Sequence, residues 1–272
     1  MLKTVFVTGD SSGIGRAACQ RLTAADWQVF GASQRPLDRC DWTHLIADVR
    51  DEDSVDRAVA AILAETDRLD AVVHCAGESF VSPIEEASLA EVQRHFDLNV
   101  FGTIRVIQSV LPQMRQQRTG KIIVVGSIGG LIGLPFEGYY SAGKFALDGL
   151  VESLRPEIAP FGIDAAILHP GDIDTELGQN RVRSANTDEQ SPYFDAYQRT
   201  VDFYAAAEEA GSPPDLVARS IEMLLNQKRM PVRALAGKAI EKFGVVAKRL
   251  MPSRHFETLM SIAYSAGNQA KK

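Results

Sequence analysis

Short apolar runs alternate with longer amphipathic stretches along most of the chain. Several runs are apolar at consecutive positions, as in Ile122-Ile123-Val124-Val125, which is typical of a strand covered by helices on both faces. Because such runs recur with helical stretches between them, the pattern predicts βαβ units. The predicted strands cover residues 4–8, 28–32, 43–47, 71–75, 121–126 and 164–169. We therefore expect an α/β fold, a doubly wound parallel sheet of about six to seven strands with helices on both faces.

The amphipathic stretches predict the helices that connect these strands. They cover residues 13–25, 54–66, 88–117 in one or two pieces, and 140–159. From residue 178 to about residue 211 the pattern changes to polar positions with scattered aromatic residues, which indicates an inserted lid with its own helix. No repeat or linker divides the chain, so we expect one domain over residues 1–235 and a C-terminal extension over residues 236–272.

Composition and charge are typical of a globular protein. The chain has 272 residues, 45% of them hydrophobic, and its formal net charge of −6 argues against nucleic acid as a partner. The three cysteines form no C-x-x-C pair and the five histidines lack the spacing of metal ligands, so we expect no metal site. No apolar stretch has the length of a transmembrane helix, and we expect a cytoplasmic protein.

A glycine-rich turn follows the first predicted strand and opens the first helix. It reads Thr8-Gly9-Asp10-Ser11-Ser12-Gly13-Ile14-Gly15. Glycines let a pyrophosphate approach the backbone, and the helix N-terminus favours its negative charge, so this turn is predicted to bind a dinucleotide. At the end of the second strand, Arg35 stands where an acidic residue would select NAD, which favours NADP over NAD. A solvated surface arginine is the alternative.

A tyrosine and a lysine lie four residues apart at the start of the fourth predicted helix. The spacing puts Tyr140 and Lys144 on one helix face, where the ammonium is expected to lower the pKa of the phenol. Tyr140 is then a candidate general acid or base, although this spacing is common on exposed helices. The strand over 121–126 is followed by Ser127, and ligands of open parallel sheets bind beyond the carboxyl ends of the strands. We expect the Ser127 hydroxyl to bind a substrate oxygen.

Taken together and in this order, these motifs resemble the short-chain dehydrogenase/reductase (SDR) family, which has a Rossmann-type fold, over residues 3–175. Further markers are Asp48-Val49, Ala76-Gly77, Asn99 within Leu98-Asn99-Val100-Phe101-Gly102, and Pro170-Gly171 through Thr175. The resemblance implies that Tyr140 exchanges a proton with the substrate oxygen, while Lys144 binds the nicotinamide ribose. It also implies that Ser127 polarises the carbonyl and that Asn99 holds a water. Hydride would pass between the nicotinamide and the substrate carbon.

The same resemblance implies which residues contact the cofactor. Asp48 would bind the adenine amino group, and the loop that begins at Pro170 would surround the carboxamide. The implied set is Gly9, Ser11, Ser12, Gly13, Ile14, Gly15, Arg35, Asp48, Val49, Ala76, Gly77, Tyr140, Lys144, Pro170, Gly171, Ile173 and Thr175. One departure stands out, since His74-Cys75 replaces the usual Asn-Asn of the family. We expect the small cysteine to pack adequately there.

Within the family, the run from Gly126 to Phe136 resembles 17β-hydroxysteroid and retinol dehydrogenases. The implied reaction is NADP-dependent hydride transfer to or from a hydrophobic ketone, aldehyde or secondary alcohol, steroid- or retinoid-like or otherwise apolar. The implied pocket is apolar and is formed by the residues after Ser127, by Leu177 and by the lid. The alternative is a catalytically weak NADP-binding regulatory or interaction protein on the same fold. The family also implies a homodimer or homotetramer.

The C-terminal extension differs in charge from the rest of the chain. Residues 236–272 carry seven basic and two acidic side chains, a net charge of +5 against −11 for the preceding residues. Basic and apolar positions are interleaved, which predicts amphipathic helices. We expect them to pack on their own domain or on a partner subunit, with peripheral contact to an anionic membrane as the alternative.

Overall fold

The computed structural model describes residues 2–267, apart from the side chains of Leu177, Gln179 and residues 263–267. Its main strands are Lys3–Thr8 (β1), Trp27–Ser33 (β2), Thr43–Ile46 (β3), Ala71–His74 (β4), Gly120–Val125 (β6), Ile163–Pro170 (β7) and Arg233–Ala236 (β9), while Phe80–Val81 (β5) and Val182–Arg183 (β8) form a separate parallel pair. The seven main strands form one parallel sheet in the order β3-β2-β1-β4-β6-β7-β9. The predicted α/β fold is confirmed.

Helices cover both faces of this sheet. They are Gly13–Ala24 (α1), Glu52–Thr66 (α2), Leu89–Phe96 (α3), Gly102–Gln117 (α4), Gly138–Ile158 (α5), Glu176–Gln179 (α6), Phe194–Glu209 (α7), Pro214–Asn226 (α8), Ala239–Leu250 (α9) and Ser253–Gly267 (α10). A π-helical segment, Asp97–Phe101, joins α3 to α4. The helical stretch predicted over 88–117 therefore contains one wide turn at its centre.

Consecutive apolar residues of the central strands enter two different cores. In β6, Ile122 and Val124 pack with side chains of α2, α4 and α5, whereas Ile123 and Val125 pack with side chains of α1 and α8. All four residues are buried. Because side chains alternate between the two faces of a strand, a sheet covered on both faces requires an uninterrupted apolar run.

The order of the strands reverses beside β1. The chain builds β2 and β3 outward on one side of β1 and then returns to place β4 on its other side. Such a reversal opens a crevice at the carboxyl ends of the strands. The segments that follow β1, β4, β6 and β7 all begin at this edge, and they carry most of the predicted site residues.

The lid and the C-terminal extension pack around this edge. The segment predicted as a lid contains β8 and α7, and β8 pairs with β5. In the extension, Val245 of α9 and Phe256 of α10 are buried against Ile132, in the loop after β6. The boundary at residue 235 stays a prediction, and β9 ends at Ala236. Among residues 2–267, no helix combines the length and apolar character that crossing a bilayer requires.

Candidate active site

Ser127 lies two residues beyond the end of β6 and immediately before a 3-10 helical turn. Its backbone is extended, and its hydroxyl accepts a hydrogen bond of 3.0 Å from the Gly129 amide. The carbonyl of Ser127 accepts a 2.8 Å hydrogen bond from Nδ1 of His169, a buried residue of β7. Nε2 of His169 lies 3.1 Å from Oδ1 of Asp148 on α5. Two neighbouring elements therefore fix the backbone that carries the hydroxyl.

Tyr140 and Lys144 occupy one buried face of α5, as their spacing predicted. The Lys144 Nζ lies 5.8 Å from the Tyr140 ring centroid and donates a 3.1 Å hydrogen bond to the carbonyl of Val125. A Cβ atom at Gly129 would lie 3.2 Å from Cε1 of Tyr140 and 3.3 Å from Oγ of Ser127, so the three residues meet at one point. The structure brings the predicted serine, tyrosine and lysine together.

The pKa of Tyr140 differs from the expectation. Burial raises it above its usual range, the carboxylate of Glu137 raises it further, and a hydrogen bond with Ser127 lowers it. The prediction that Lys144 would bring this pKa below its usual value is wrong, because the free-energy cost of burying the phenolate exceeds the stabilisation that neighbouring groups give it. The phenol is protonated at neutral pH and can donate a proton. Burial also lowers the pKa of Lys144 to about 8.

Asn99 lies in the π-helical segment between α3 and α4 and is buried. Its amide Nδ2 donates to the carbonyl of His95 at 3.1 Å, and its Oδ1 accepts from the Glu78 amide at 3.2 Å. A Cβ atom at Gly77 would lie 2.7 Å from Oδ1 of Asn99 and 3.8 Å from Nζ of Lys144. The turn after β4 thus fits closely between the predicted asparagine and lysine, and only glycine leaves enough space.

The turn after β1 fits a dinucleotide. Gly9 and Gly13 have φ angles of 77° and 51°, which residues with a Cβ atom rarely adopt. A Cβ atom at Gly15 would lie 2.1 Å from the carbonyl oxygen of Gly9, so this position has no room for a side chain. The first turn of α1 begins at Gly13 and presents its free N–H groups, which favour an anion. The predicted Ser11, Ser12 and Ile14 lie in the same turn, half-buried.

The other predicted cofactor residues lie around this turn. Thr175, after β7, lies against Gly13, since a Cβ atom there would be 3.2 Å from its Cγ2. Arg35 is exposed just beyond the end of β2, and Ile173 is buried.

The Asp48 carboxylate forms a two-point ion pair with Arg50, and this ion pair lowers the pKa of Asp48. The motifs in the sequence did not predict this ion pair. The remaining predicted residues, Val49, Ala76, Pro170 and Gly171, lie at or just beyond the carboxyl ends of their strands.

His74-Cys75, the departure from the family pattern, is linked to the same turn. Nδ1 of His74 lies 2.8 Å from Oγ1 of Thr8, and that hydroxyl oxygen also accepts from the Ala76 amide at 3.3 Å. Burial, with a smaller effect of the Lys144 charge, lowers the pKa of His74 to about 3, so its ring is neutral. Burial raises the pKa of Cys75 to about 12. The cysteine is therefore a packed thiol at neutral pH.

A buried ionic cluster near Tyr140 was not predicted. Its members are Ser79, Glu137, Arg181 and Glu208, and we refer to them as the Arg181 cluster. The Arg181 guanidinium donates to Oε1 of Glu208 at 2.6 Å and to Oγ of Ser79 at 3.2 Å, and its Nε lies 3.4 Å from Oε1 of Glu137. The Ser79 hydroxyl donates to the same Glu137 oxygen at 2.8 Å.

The Arg181 cluster carries two carboxylates and one cation within electrostatic reach of the phenol. Glu137 and Glu208 raise the pKa of Tyr140, and Arg181 lowers it. Burial raises the pKa of Glu137 and brings that of Glu208 to about 7. The neighbourhood expected to be apolar therefore contains buried charge. No short sequence spacing indicated it, because its members come from four separate segments.

The aromatic residues of α7 pack mainly against the loop after β6. The Tyr204 hydroxyl donates to the carbonyl of Pro135 at 2.9 Å, and the rings of Tyr197 and Phe136 meet edge to face at 5.9 Å. The predicted lid helix is thus joined to the loop that begins at Ser127. The side chain of Leu177, also predicted to line the pocket, lies outside the described residues. Within residues 2–267, no group of three or more His, Cys, Asp or Glu side chains could hold a metal ion.

Comparison with known proteins shows which family this chain resembles over most of its length. The family described as short chain dehydrogenase matches residues 3–186. A 3-ketodihydrosphingosine reductase of Bacteroides thetaiotaomicron is 32% identical over 96% of this chain and 97% of its own length. Estradiol 17-beta-dehydrogenase 1 of Rattus norvegicus is 33% identical over 90% of this chain and 75% of its own length. A solved short-chain dehydrogenase from Streptomyces avermitilis superposes with a TM-score of 0.77 at 32% identity, covering 96% of this chain and 98% of that one.

The chain belongs to the short-chain dehydrogenase family, as the motifs predicted. It is an NAD(P)-dependent oxidoreductase that acts on alcohol and carbonyl groups. The resemblance to the branch that contains 17β-hydroxysteroid dehydrogenases is confirmed as well.

Proposed function

We propose that this enzyme transfers a hydride between NADP and a hydrophobic ketone, aldehyde or secondary alcohol, with Tyr140 as the general acid or base. The observation that supports this most is the close arrangement of Ser127, Tyr140 and Lys144 around Gly129 and Val125. A protonated phenol beside a fixed serine can deliver a proton to an oxygen held at the same serine.

In this mechanism the four residues have different roles. The Ser127 hydroxyl orients the substrate oxygen, and Tyr140 donates its proton to that oxygen during reduction or accepts it during oxidation. Lys144 binds the nicotinamide ribose, and its charge stabilises the phenolate when the proton has left. Asn99 keeps a water in line with Lys144 for proton exchange. When bound, the nicotinamide supplies or accepts the hydride.

NADP is proposed over NAD because of Arg35. It is the first charged side chain after β2, and it is exposed where a 2′-phosphate would lie. The pyrophosphate would bind at the turn formed by Gly9, Gly13 and Gly15. The adenine would lie beside Asp48, and the carboxamide beside the segment from Pro170 to Thr175.

For the substrate, we propose a long-chain ketone with a polar group near its carbonyl, and 3-ketodihydrosphingosine is the first compound to test. The similarity to the reductase of that name extends over nearly the whole length of both chains. The charged side chains of the Arg181 cluster, within reach of Tyr140, suit a polar neighbour of the reacting carbon better than a wholly apolar one. A steroid ketone is the second candidate, supported by the similarity to the estradiol enzyme.

The test measures NADPH consumption with 3-ketodihydrosphingosine and with estrone. For the better substrate, Tyr140→Phe should lower turnover by about three orders of magnitude, because proton transfer is lost, while NADP⁺ affinity changes by less than about threefold. Tyr139→Phe is a matched control, since the hydroxyl of this neighbouring tyrosine donates to the carbonyl of Ile84. Undiminished turnover in Tyr140→Phe would contradict the proposed mechanism.

The C-terminal extension and the oligomeric state also remain proposals. α9 buries Val245 on its own domain but exposes Ile240, Phe243 and Leu250 by 71%, 64% and 80%. We propose that this exposed face meets a partner subunit in a homodimer or homotetramer, with an anionic membrane as the alternative. Light scattering of the full chain and sedimentation with anionic vesicles separate the two, because only the membrane proposal predicts co-sedimentation.

A further inference from the structure

The turn after β1 contains a fully buried carboxylate. Asp10 is 0% exposed, and its Oδ2 accepts a 2.9 Å hydrogen bond from Nε1 of Trp42. A Cβ atom at Gly31 would lie 2.2 Å from this oxygen, so β2 passes directly against it. An acid at this place is costly, because a buried charge needs a partner and because the same turn is proposed to bind a pyrophosphate.

His44 supplies that partner. Its Nδ1 lies 2.7 Å from Oδ2 of Asp10, and its Nε2 lies 3.0 Å from the carbonyl oxygen of Arg35. A peptide carbonyl only accepts hydrogen bonds, so Nε2 of His44 donates to Arg35, while Nδ1 shares a second hydrogen bond with the carboxyl group of Asp10. The ring of His44 therefore bridges the buried carboxyl group and the backbone of Arg35.

The second contact reaches the segment that carries Arg35. Between β2 and β3, residues 34–42 form no helix or strand. The carbonyl of Arg35 accepts from His44 and, at 3.3 Å, from the Ser33 hydroxyl, while its guanidinium is exposed. The backbone of Arg35 is thus linked to the buried Asp10 through the ring of His44. Without the His44 contact, the carbonyl of Arg35 would keep only the hydrogen bond from the Ser33 hydroxyl.

We propose that His44 and Asp10 together determine the preference for the 2′-phosphate of NADP, because they fix the backbone from which Arg35 reaches it. His44 is a positioning residue here, and Arg35 makes the contact. This inference rests on the proposed use of NADP.

The first experiment measures binding of NADP⁺ and NAD⁺ by isothermal titration calorimetry, with no turnover involved. In His44→Ala, the dissociation constant for NADP⁺ should rise about tenfold, and that for NAD⁺ by less than about threefold. His255→Ala is a matched control, since this exposed histidine lies on α10. Equal loss of affinity for both nucleotides would overturn the proposal, because it would indicate a damaged turn rather than lost selectivity.

The second experiment compares two substitutions of His44 by the ratio of the dissociation constants for NADP⁺ and NAD⁺. His44→Gln keeps a side chain with an N–H group that can donate to one of the two acceptors, whereas His44→Ala keeps none. We therefore expect His44→Gln to retain more of the preference for NADP⁺ than His44→Ala. An equal loss of the preference in both variants would overturn the proposal, because the hydrogen bonds of the side chain would then not be what positions Arg35.

Arg35→Ala separates this inference from the proposed cofactor. If NADP⁺ is the preferred nucleotide, Arg35→Ala should remove the preference, and adding His44→Ala to it should have no further effect on the ratio. A preference that survives Arg35→Ala contradicts the proposed use of this arginine. A preference lost in Arg35→Ala but intact in both His44 variants contradicts the role of His44 alone.

Discussion

The two sides of Tyr140 are held by different kinds of interaction. On the side of the turns after β1 and β4, the contacts are glycine close approaches and hydrogen bonds to backbone, such as Lys144 to Val125 and Asn99 to His95. On the side of the inserted segment, the contacts are ion pairs of Arg181 with Glu137 and Glu208. Backbone groups at strand ends are supplied by the fold itself, whereas the ion pairs depend on charge balance. We therefore expect substitutions on the side of the ion pairs to lower mainly the stability, and substitutions on the side of the turns to lower mainly the activity.

The largest effect is expected for Arg181→Met. The side chains of Arg181 and Glu137 are 3% and 5% exposed, so removing the cation leaves the carboxylates of Glu137 and Glu208 without an ion-pair partner in a largely buried site. We expect a loss of about 3–5 kcal/mol in the free energy of unfolding at pH 8, measured by urea denaturation. Arg181→Lys should lose less, because it retains the charge.

The pH dependence of this loss has a definite sign. The pKa of Glu137 is raised, and that of Glu208 is raised to about 7. A carboxyl group with a raised pKa binds more protons in the folded state, so its folding is most favourable at low pH and becomes less so as the pH rises toward the folded pKa. Protonation relieves the buried charge, and the loss in Arg181→Met should therefore be smaller at about pH 5 than at pH 8. A constant loss across this range would show that packing and not charge is responsible.

Gly77→Ala tests the side of Tyr140 that faces the turns after β1 and β4. The added Cβ atom would lie 2.7 Å from Oδ1 of Asn99, which must then move. We expect a ten- to hundredfold decrease in kcat, about 1.4–2.7 kcal/mol, measured with the best substrate found. Gly149→Ala on the catalytic helix α5 is a matched control, since nothing lies within 4 Å of its Cβ position. Equal activity of the two variants would mean that Asn99 does not require its present position.

A smaller effect is expected from the pH dependence of cofactor affinity. Burial lowers the pKa of Lys144 to about 8, so its ammonium is lost as the pH rises through that value. If the ammonium binds the ribose, the affinity for NADP⁺ and for NAD⁺ should both decrease, about severalfold, between about pH 7 and pH 9. Titration calorimetry measures this. Lys144→Met should bind more weakly at pH 7 and lack the dependence, and a persisting decrease would exclude Lys144 as its source.

The smallest effect is expected for an ion pair at the surface. Arg219 and Asp215 are paired one turn apart on α8, with side chains 64% and 46% exposed. Solvent screens this pair, so Arg219→Ala should change the free energy of unfolding by less than about 0.5 kcal/mol. Urea denaturation alongside Arg181→Met gives the direct contrast. A comparable loss in both variants would refute the view that burial makes the Arg181 cluster important.

Most of the sheet and of the catalytic centre could be predicted from local patterns. The consecutive apolar residues of β6, the glycine turn after β1, and the pair Tyr140 and Lys144 are each contained in a few adjacent positions. β9 was missed because it is short, half-buried and begins with Arg233, whose charge pairs with Asp148 on α5. Its identity as a strand depends on β7 beside it, which no local pattern contains.

The sequence by itself determined the parallel sheet, the dinucleotide turn and the order of the residues that line the crevice, because periodicity and glycine geometry act over a few positions. Only the tertiary structure decided the environment of those residues. Burial keeps Tyr140 protonated, the Arg181 cluster places charge near a pocket expected to be apolar, and Asp10 is joined to Arg35 through His44. Desolvation and ion pairing depend on which distant segments meet, so these features cannot be derived from spacing along the chain.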